Sequence, residues 1–82
     1  MKITFITPNK MKEFHKKTII LKEMQKFVGG YIEIIHLPKN KIMVVNEEGL
    51  LKKLPLNITA ANITERQIVG NVIVMSEKDM KT

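Results

Sequence analysis

The chain has 82 residues, of which 44% are hydrophobic, and it contains no cysteine. This length is that of one small domain, the composition is that of a folded chain, and the lack of cysteine excludes disulfides, thiolate zinc sites and cysteine nucleophiles. The net charge of +6 predicts attraction to anions such as phosphates, nucleotides and nucleic acids, and it disfavours an acidic mimic of DNA.

The positive charge is concentrated at one end of the chain. Residues 1–26 contain seven lysines and two glutamates, a balance of +5, whereas residues 27–82 have a balance of only +1. Two interpretations stay open, because lysine is a common surface residue: the basic third binds an anion, or it is a solvated face that aids solubility.

Residues 2–7 are β-branched and aromatic, which predicts a first strand. Residues 9–17 are mostly basic and favour a connecting loop, with Met11 and Phe14 holding it to the core. Apolar residues at helical spacing predict a helix over residues 20–28, with an N-cap in the region of Thr18 and a stop at Gly29-Gly30.

The second half of the chain favours strands. Residues 31–37 and 42–45 read as a hairpin with a turn between them, followed by a second turn at 46–49. Residues 56–63 indicate a loop or one helical turn, and Thr64 is expected to cap residues 64–67. Residues 68–75 predict a last strand, in which Gly70 indicates a bulge or a close backbone approach.

This order of elements predicts an α+β fold. We expect a single domain over residues 1–75, with a small mixed sheet of about four strands that includes the 31–45 hairpin and one main helix packed on one face. Residues 76–82 are expected to form a polar, frayed tail.

Residue patterns for catalysis are nearly absent. Ser76 has no nucleophile context, His15 and His36 have no metal-ligand spacing, and the adjacent Glu47 and Glu48 are a poor acid–base pair. Gly29-Gly30 follows a helix, whereas the glycines of a phosphate loop precede one. The sequence therefore predicts a protein that is not an enzyme and that needs no metal or cofactor.

Other partner classes are disfavoured to different degrees. The chain has four aromatic residues and one arginine, too few for extensive base stacking or guanine recognition. Nucleic acid is therefore a less favoured partner, and we expect any such binding to use lysines without sequence preference. No apolar run approaches the length of a membrane span or of a signal-peptide core. We expect a cytoplasmic protein.

Four short motifs follow one another in order: Val28-Gly29-Gly30-Tyr31-Ile32-Glu33, then Asn46-Glu47-Glu48-Gly49, Leu54-Pro55-Leu56-Asn57 and Ile68-Val69-Gly70-Asn71. Over about residues 20–75 the chain resembles a family of small proteins of unknown function that is widespread in phages, plasmids and other mobile elements. The resemblance implies a small α+β domain of mobile-element origin and no particular reaction. If a phage encodes the protein, the expected location is the cytoplasm of the host cell. In that family an arginine often follows the asparagine at the position of Asn57, where this chain has Ile58; Lys52, Lys53 or Arg66 could replace it.

The motif residues allow two interpretations. Asn46, Gly49 and Asn57 are turn formers that shape the backbone, or the loops 46–49 and 52–62 meet at one edge of the sheet and line a pocket. In the second case Lys52, Lys53 and Arg66 would contact phosphates, and Tyr31 or Asn57 would hold a base or ribose. The candidate ligand-binding residues are Tyr31, Asn46, Glu47, Lys52, Lys53, Asn57 and Arg66.

Three hypotheses of function remain, and an enzyme that uses Glu47 or Glu48 on a bound nucleotide is a fourth, least favoured class. The first is a non-enzymatic, homo-oligomeric anti-defence protein that captures a phosphorylated nucleotide immune signal. The second is an interaction module that uses the edge strand of the 31–45 hairpin to bind and inhibit a host factor or to form a homodimer. The third is a basic accessory protein that binds DNA or RNA through lysines, with affinity that falls steeply with salt.

Overall fold

A computed structural model describes residues 1–16 and 18–80 of the chain. Lys17, the end of the predicted 9–17 loop, and Lys81 and Thr82 of the predicted tail lie outside the described residues. The described elements are five strands, two helices and one 3-10 turn: β1 (Lys2–Ile6), β2 (Met11–His15), α1 (Leu21–Val28), β3 (Ile32–Leu37), β4 (Lys41–Asn46), α2 (Ile58–Thr64), β5 (Val72–Ser76) and the 3-10 turn Glu77–Asp79.

The strands form one sheet in the order β2-β1-β5-β4-β3, and every pairing is antiparallel. The α+β class, the 31–45 hairpin and a helix on one face are confirmed. The expected mixed sheet of about four strands is wrong in both respects. The sheet has five strands, and it is antiparallel throughout because β5 lies between β1 and β4 and pairs antiparallel with each of them.

The additional strand is β2, which lies within the predicted 9–17 loop. It pairs with β1 from Lys2 opposite His15 to Ile6 opposite Met11. Thr7 closes the hairpin, since its hydroxyl accepts the N–H groups of Asn9 and Lys10 at 3.2 and 2.9 Å. The strand lies at the sheet edge and is mostly exposed. Three of its five residues, Lys12, Glu13 and His15, are therefore polar, and the strand shows no apolar alternation.

The N-cap of helix α1 lies two residues after the predicted one. It is Ile20 rather than Thr18, and Glu23 Oε1 accepts the Ile20 N–H at 3.2 Å. Gly29 ends the helix in the left-handed conformation, with φ of 89°, and its N–H donates to the Gln25 carbonyl. The predicted glycine stop is therefore confirmed, because this conformation favours a residue without a Cβ.

Both faces of the sheet carry apolar residues. On one face, called the α1 face here, α1 packs over a cluster of buried side chains: Ile3, Ile19, Met24, Val28, Ile42, Val44, Ile73 and Met75. On the other, called the α2 face, Ala60 of α2 and Ile68 cover a smaller cluster of Ile6, Ile35, Met43, Val45 and Val72. The sheet thus lies between two layers, α1 on one face and α2 with Ile68 on the other. The predicted single main helix therefore covers only one of its two faces.

The segment from Leu54 to Gly70 folds over the α2 face. Asn57 is the N-cap of α2, and Glu65, with φ of 56°, ends the helix. Thr64 is the last helical residue. Its hydroxyl accepts the Arg66 N–H at 3.2 Å, but no helix begins there, so the predicted cap over residues 64–67 is wrong. The predicted close approach at Gly70 is confirmed, because a Cβ there would lie 2.7 Å from Leu54 Cδ1.

The described part of the predicted tail continues the fold. Ser76 is the last residue of β5, the 3-10 turn follows it, and Met80 packs against the core of the α1 face. The Glu77 N–H donates to the Asn40 carbonyl at 2.9 Å. Residues 76–80 therefore lie against the end of the β3–β4 hairpin, and three of them line the second cleft described below.

Candidate functional site

The α2 face has a cleft at each of its ends. The first, of about 350 Å³, lies where β3 and β4 meet the loops that precede and follow α2. We call it the acidic cleft. Its lining combines residues 45–51 and 66–69 with Glu33 and Ile35 of β3.

Three of the seven predicted site residues line the acidic cleft: Asn46, Glu47 and Arg66. Glu33 and Glu48 line it as well, so three carboxylates face one guanidinium. The local field therefore opposes a phosphate group. Of the two predicted loops, 46–49 lines this cleft and 52–62 does not.

The side-chain amides of Asn46 and Asn57 form hydrogen bonds with backbone groups. Asn46 Nδ2 donates to the Val28 carbonyl at 3.0 Å, and its Oδ1 accepts the Glu48 N–H at 2.7 Å. Asn57 is fully buried; its Nδ2 donates to the carbonyls of Ile6 and Gly70, and its Oδ1 accepts the Ala60 N–H. These contacts hold irregular chain in place, which is the first of the two interpretations of the motif.

The other three predicted residues lie apart from the acidic cleft. Lys52 Nζ donates to the Gly29 carbonyl at 3.2 Å, near the end of α1. Lys53 is exposed, with φ of 54°. The Tyr31 side chain is 69% exposed, and only its carbonyl is engaged, by the Glu47 N–H.

The second cleft, of about 410 Å³, lies at the opposite end of the α2 face, beyond the reach of α2. We call it the lysine cleft. Lys41 of β4 is paired with Ser76 of β5, and the register of β1 with β5 places Lys2 on the other side of Ser76. The lining residues are Met1, Lys2, Thr4, Lys41, Val74, Met75, Ser76, Lys78 and Asp79.

The row Lys2–Ser76–Lys41 spans three adjacent strands. Neighbouring strands are about 4.8 Å apart, so the two lysine backbones lie about 10 Å apart with the serine between them. Lys78 reaches the same cleft from the 3-10 turn, and Thr4 adds a second hydroxyl. Among the side chains that line the cleft, three ammonium groups face one carboxylate, that of Asp79, and Glu13 beside Lys2 offsets part of this positive charge.

Only Lys2 of these lysines takes part in an ion pair among residues 1–16 and 18–80, with Glu13 at 3.8 Å. Both of those side chains are about half exposed, so the pair is weak. Ammonium and hydroxyl groups together are suited to an anion rich in oxygen, such as a phosphate. Sequence reasoning missed this site because 39 positions separate Lys2 from Lys41, and only the strand register brings them together.

A third depression lies on the α1 face, between α1 and β1. Lys16, Glu23, Lys26, Phe5, Phe27 and Asn71 line it. Lys16 Nζ donates to Glu23 Oε2 at 2.8 Å, and this hydrogen bond, with that from the Ile20 N–H, lowers the pKa of Glu23 below its ordinary value of 4.5. The Phe5 ring packs against Phe27 and Phe14 at centroid distances of 4.4 and 5.1 Å, and Phe5 and Phe27 also pack against the core of the α1 face.

The described residues contain no helix long and apolar enough to cross a membrane. Within the same ranges, no group of three or more histidine or acidic side chains is placed to hold a metal ion.

The fold and clefts define a small α+β domain with an antiparallel sheet between two helical layers. The chain belongs to the DUF3846 family, a domain of unknown function whose model matches residues 1–82. The match therefore extends beyond the 20–75 segment on which the resemblance rests. No curated protein and no solved structure matches the chain.

Proposed function

We propose that this protein binds a phosphorylated, nucleotide-type anion in the lysine cleft and holds it without turning it over. The row Lys2–Ser76–Lys41 on the open end of the α2 face carries the proposal. The site differs from the residue set expected from sequence, since Asn46 and Asn57 are committed to the backbone and Glu47 and Arg66 lie in the acidic cleft.

The physical argument is the convergence of charge. One exposed lysine contributes little to binding, because water and salt screen its field. Three lysines on separate elements around two hydroxyls can each contact a different oxygen of the same ligand, so their contributions combine. A cleft of about 410 Å³ is within the usual range for small-molecule sites.

The same arrangement supports capture rather than catalysis. Ser76 and Thr4 lie among ammonium groups, and neither takes part in a side-chain hydrogen bond with a general base among the described residues. In a cytoplasmic protein of mobile-element origin, such capture would remove a phosphorylated nucleotide immune signal from the host. The ligand classes to test are therefore cyclic dinucleotides and ADP-ribose derivatives.

Calorimetry with these two ligand classes, a mononucleotide and a short oligonucleotide tests the proposal. We expect saturable binding of one small ligand and a loss of affinity of about tenfold, or 1.4 kcal/mol, for Lys41→Ala. Lys22→Ala is the matched control, because it removes the same charge from the exposed surface of α1. Its affinity should stay within about twofold of the unchanged protein.

Four results would contradict the proposal. The absence of heat and of thermal stabilisation across all small ligands would remove the site. Equal losses for Lys41→Ala and Lys22→Ala would indicate a general charge effect, and tight binding of the oligonucleotide alone would favour the nucleic-acid hypothesis. Recovery of the ligand in altered form after incubation would contradict capture without turnover.

A further inference from the structure

The sheet has two edge strands of opposite character. The β2 edge carries Lys12, Glu13 and His15, together with the flanking Lys10 and Lys16, and such charges prevent pairing with another strand. The β3 edge, Ile32–Leu37, has one acidic residue, Glu33, and no lysine or arginine. It is therefore the edge that lacks protection.

The hydrogen-bonding groups on the open side of β3 can be assigned. The Glu47 N–H donates to the Tyr31 carbonyl, so Tyr31 directs its backbone groups towards β4. Backbone groups alternate between the two sides of an antiparallel strand. Glu33, Ile35 and Leu37 therefore also face β4, whereas the N–H and carbonyl groups of Ile32, Ile34 and His36 face outward.

Exposed apolar side chains surround this edge. Ile34 of β3 is 36% exposed on the α1 face, and Tyr31 immediately precedes the strand. Leu50 and Leu51 line the same cleft as Glu33 and Ile35, and they are 61% and 81% exposed. Burial of such a group of apolar side chains is favourable, and its exposure on a small protein is a sign of an interface.

We propose that two copies of this chain pair through β3, in antiparallel orientation about a two-fold axis at Ile34. In this register Ile34 lies opposite its own copy, and Ile32 lies opposite the partner copy's position 36. All three outward-facing residues then exchange hydrogen bonds across the axis. The two five-stranded sheets become one sheet of ten strands.

Charge and symmetry favour a second copy as the occupant. A two-fold interface must be complementary to itself, and the register centred on Ile34 pairs isoleucine with isoleucine at the axis and Ile32 with His36 on either side. A register centred on Glu33 would place two carboxylates directly opposite each other, which is unfavourable. The register centred on Ile34 places Glu33 opposite an isoleucine and keeps the lysine-bearing β2 edges at the far ends of the dimer.

The first test is the mass in solution over a series of protein concentrations. We expect the unchanged protein to reach about twice its chain mass of 9.5 kDa. Ile34→Lys should return it to the monomer, because two ammonium groups would meet at the axis. Met11→Lys is the matched control, since Met11 is an exposed apolar residue whose backbone groups face outward from the β2 edge.

The second test is hydrogen exchange at single amides. The N–H groups of Ile32, Ile34 and His36 should exchange slowly in the dimer and rapidly in the Ile34→Lys monomer. A monomer at all concentrations, a dimer that survives Ile34→Lys, dissociation by Met11→Lys, or rapid exchange of these three amides in a dimer would each overturn the proposal. Ligand titration of the Ile34→Lys monomer separates this inference from the proposed function, because the lysine cleft lies on other strands.

Discussion

The two ends of the sheet use polar side chains in opposite ways. At the end that holds the acidic cleft, Asn46 and Asn57 are buried and their amides are bonded to backbone groups. At the end that holds the lysine cleft, Lys2, Lys41 and Lys78 project from regular elements into an open depression. The motif-bearing end therefore builds the fold, and the other end keeps its polar groups accessible.

This difference bears on how sequence motifs are interpreted. Asparagine, glycine and proline stand out in a sequence motif because each favours particular backbone conformations. In this chain they hold the segment from Leu54 to Gly70 against the sheet. Ligand binding needs polar groups that are not already hydrogen-bonded within the fold. In the proposed site, those groups are ordinary lysines and hydroxyls that the strand register brings together.

The largest expected effect comes from Asn57→Ala. The substitution leaves the buried carbonyls of Ile6 and Gly70 and the Ala60 N–H without their side-chain partner, so we expect a loss of about 3 kcal/mol in the free energy of unfolding. The melting temperature should fall by about 15 °C, as measured by circular dichroism. The exposed Asn62→Ala is the control, with an expected change within about 0.5 kcal/mol.

Ligand binding by the folded Asn57→Ala protein tests whether the two ends of the sheet act independently. At a temperature where this variant is fully folded, we expect its ligand affinity to be unchanged. Lys41→Ala should show the opposite behaviour, with weaker binding and stability within about 0.5 kcal/mol of the unchanged protein. A variant that lost both properties together would show that the two ends are coupled.

A smaller loss of stability is expected for Gly70→Ala. The added Cβ would stand 2.7 Å from Leu54 Cδ1, at a residue whose φ is 78°, and we expect a cost of about 2 kcal/mol in urea unfolding. Gly30→Ala is the comparison, because its nearest neighbour is the flexible end of Lys52 and its backbone is not left-handed. If Gly30→Ala were the more costly of the two, the structural role assigned to Gly70 would be wrong.

The smallest effect concerns Glu23, on the α1 face. Its hydrogen bond from Lys16, and secondarily that from the Ile20 N–H, lowers its pKa in the folded protein from 4.5. A group with a lowered folded pKa stabilises the protein above its unfolded pKa, and this contribution is lost as pH falls below about 4.5 and through the folded pKa.

Glu23→Gln should therefore flatten the dependence of stability on pH below about 4.5 and leave it unchanged near neutrality. Urea unfolding at a series of pH values would measure this. Glu65→Gln controls for the removal of a charge, because Glu65 forms no ion pair among residues 1–16 and 18–80. An unchanged slope for Glu23→Gln would contradict the assigned role of the Lys16 contact.

Local patterns were sufficient for much of the fold. Apolar spacing and Gly29-Gly30 located α1, and β-branched runs located β1, β3, β4 and β5 to within a few residues. The same reasoning missed β2, because an exposed edge strand has no buried face to impose alternation. It also left α2 undecided, since this short helix depends on the Asn57 cap and on packing of Ala60 rather than on its own propensity.

An excess of lysine, the scarcity of catalytic groups and a small α+β fold follow from composition and short-range periodicity, both of which can be read from the sequence. Which charges lie close together depends on the tertiary structure. It divided the lysines of the basic third between the two faces of the sheet, and it joined one of them, Lys2, to Lys41 and Lys78 around Ser76. Strand order and register make this assignment, and they depend on contacts between residues far apart in the chain.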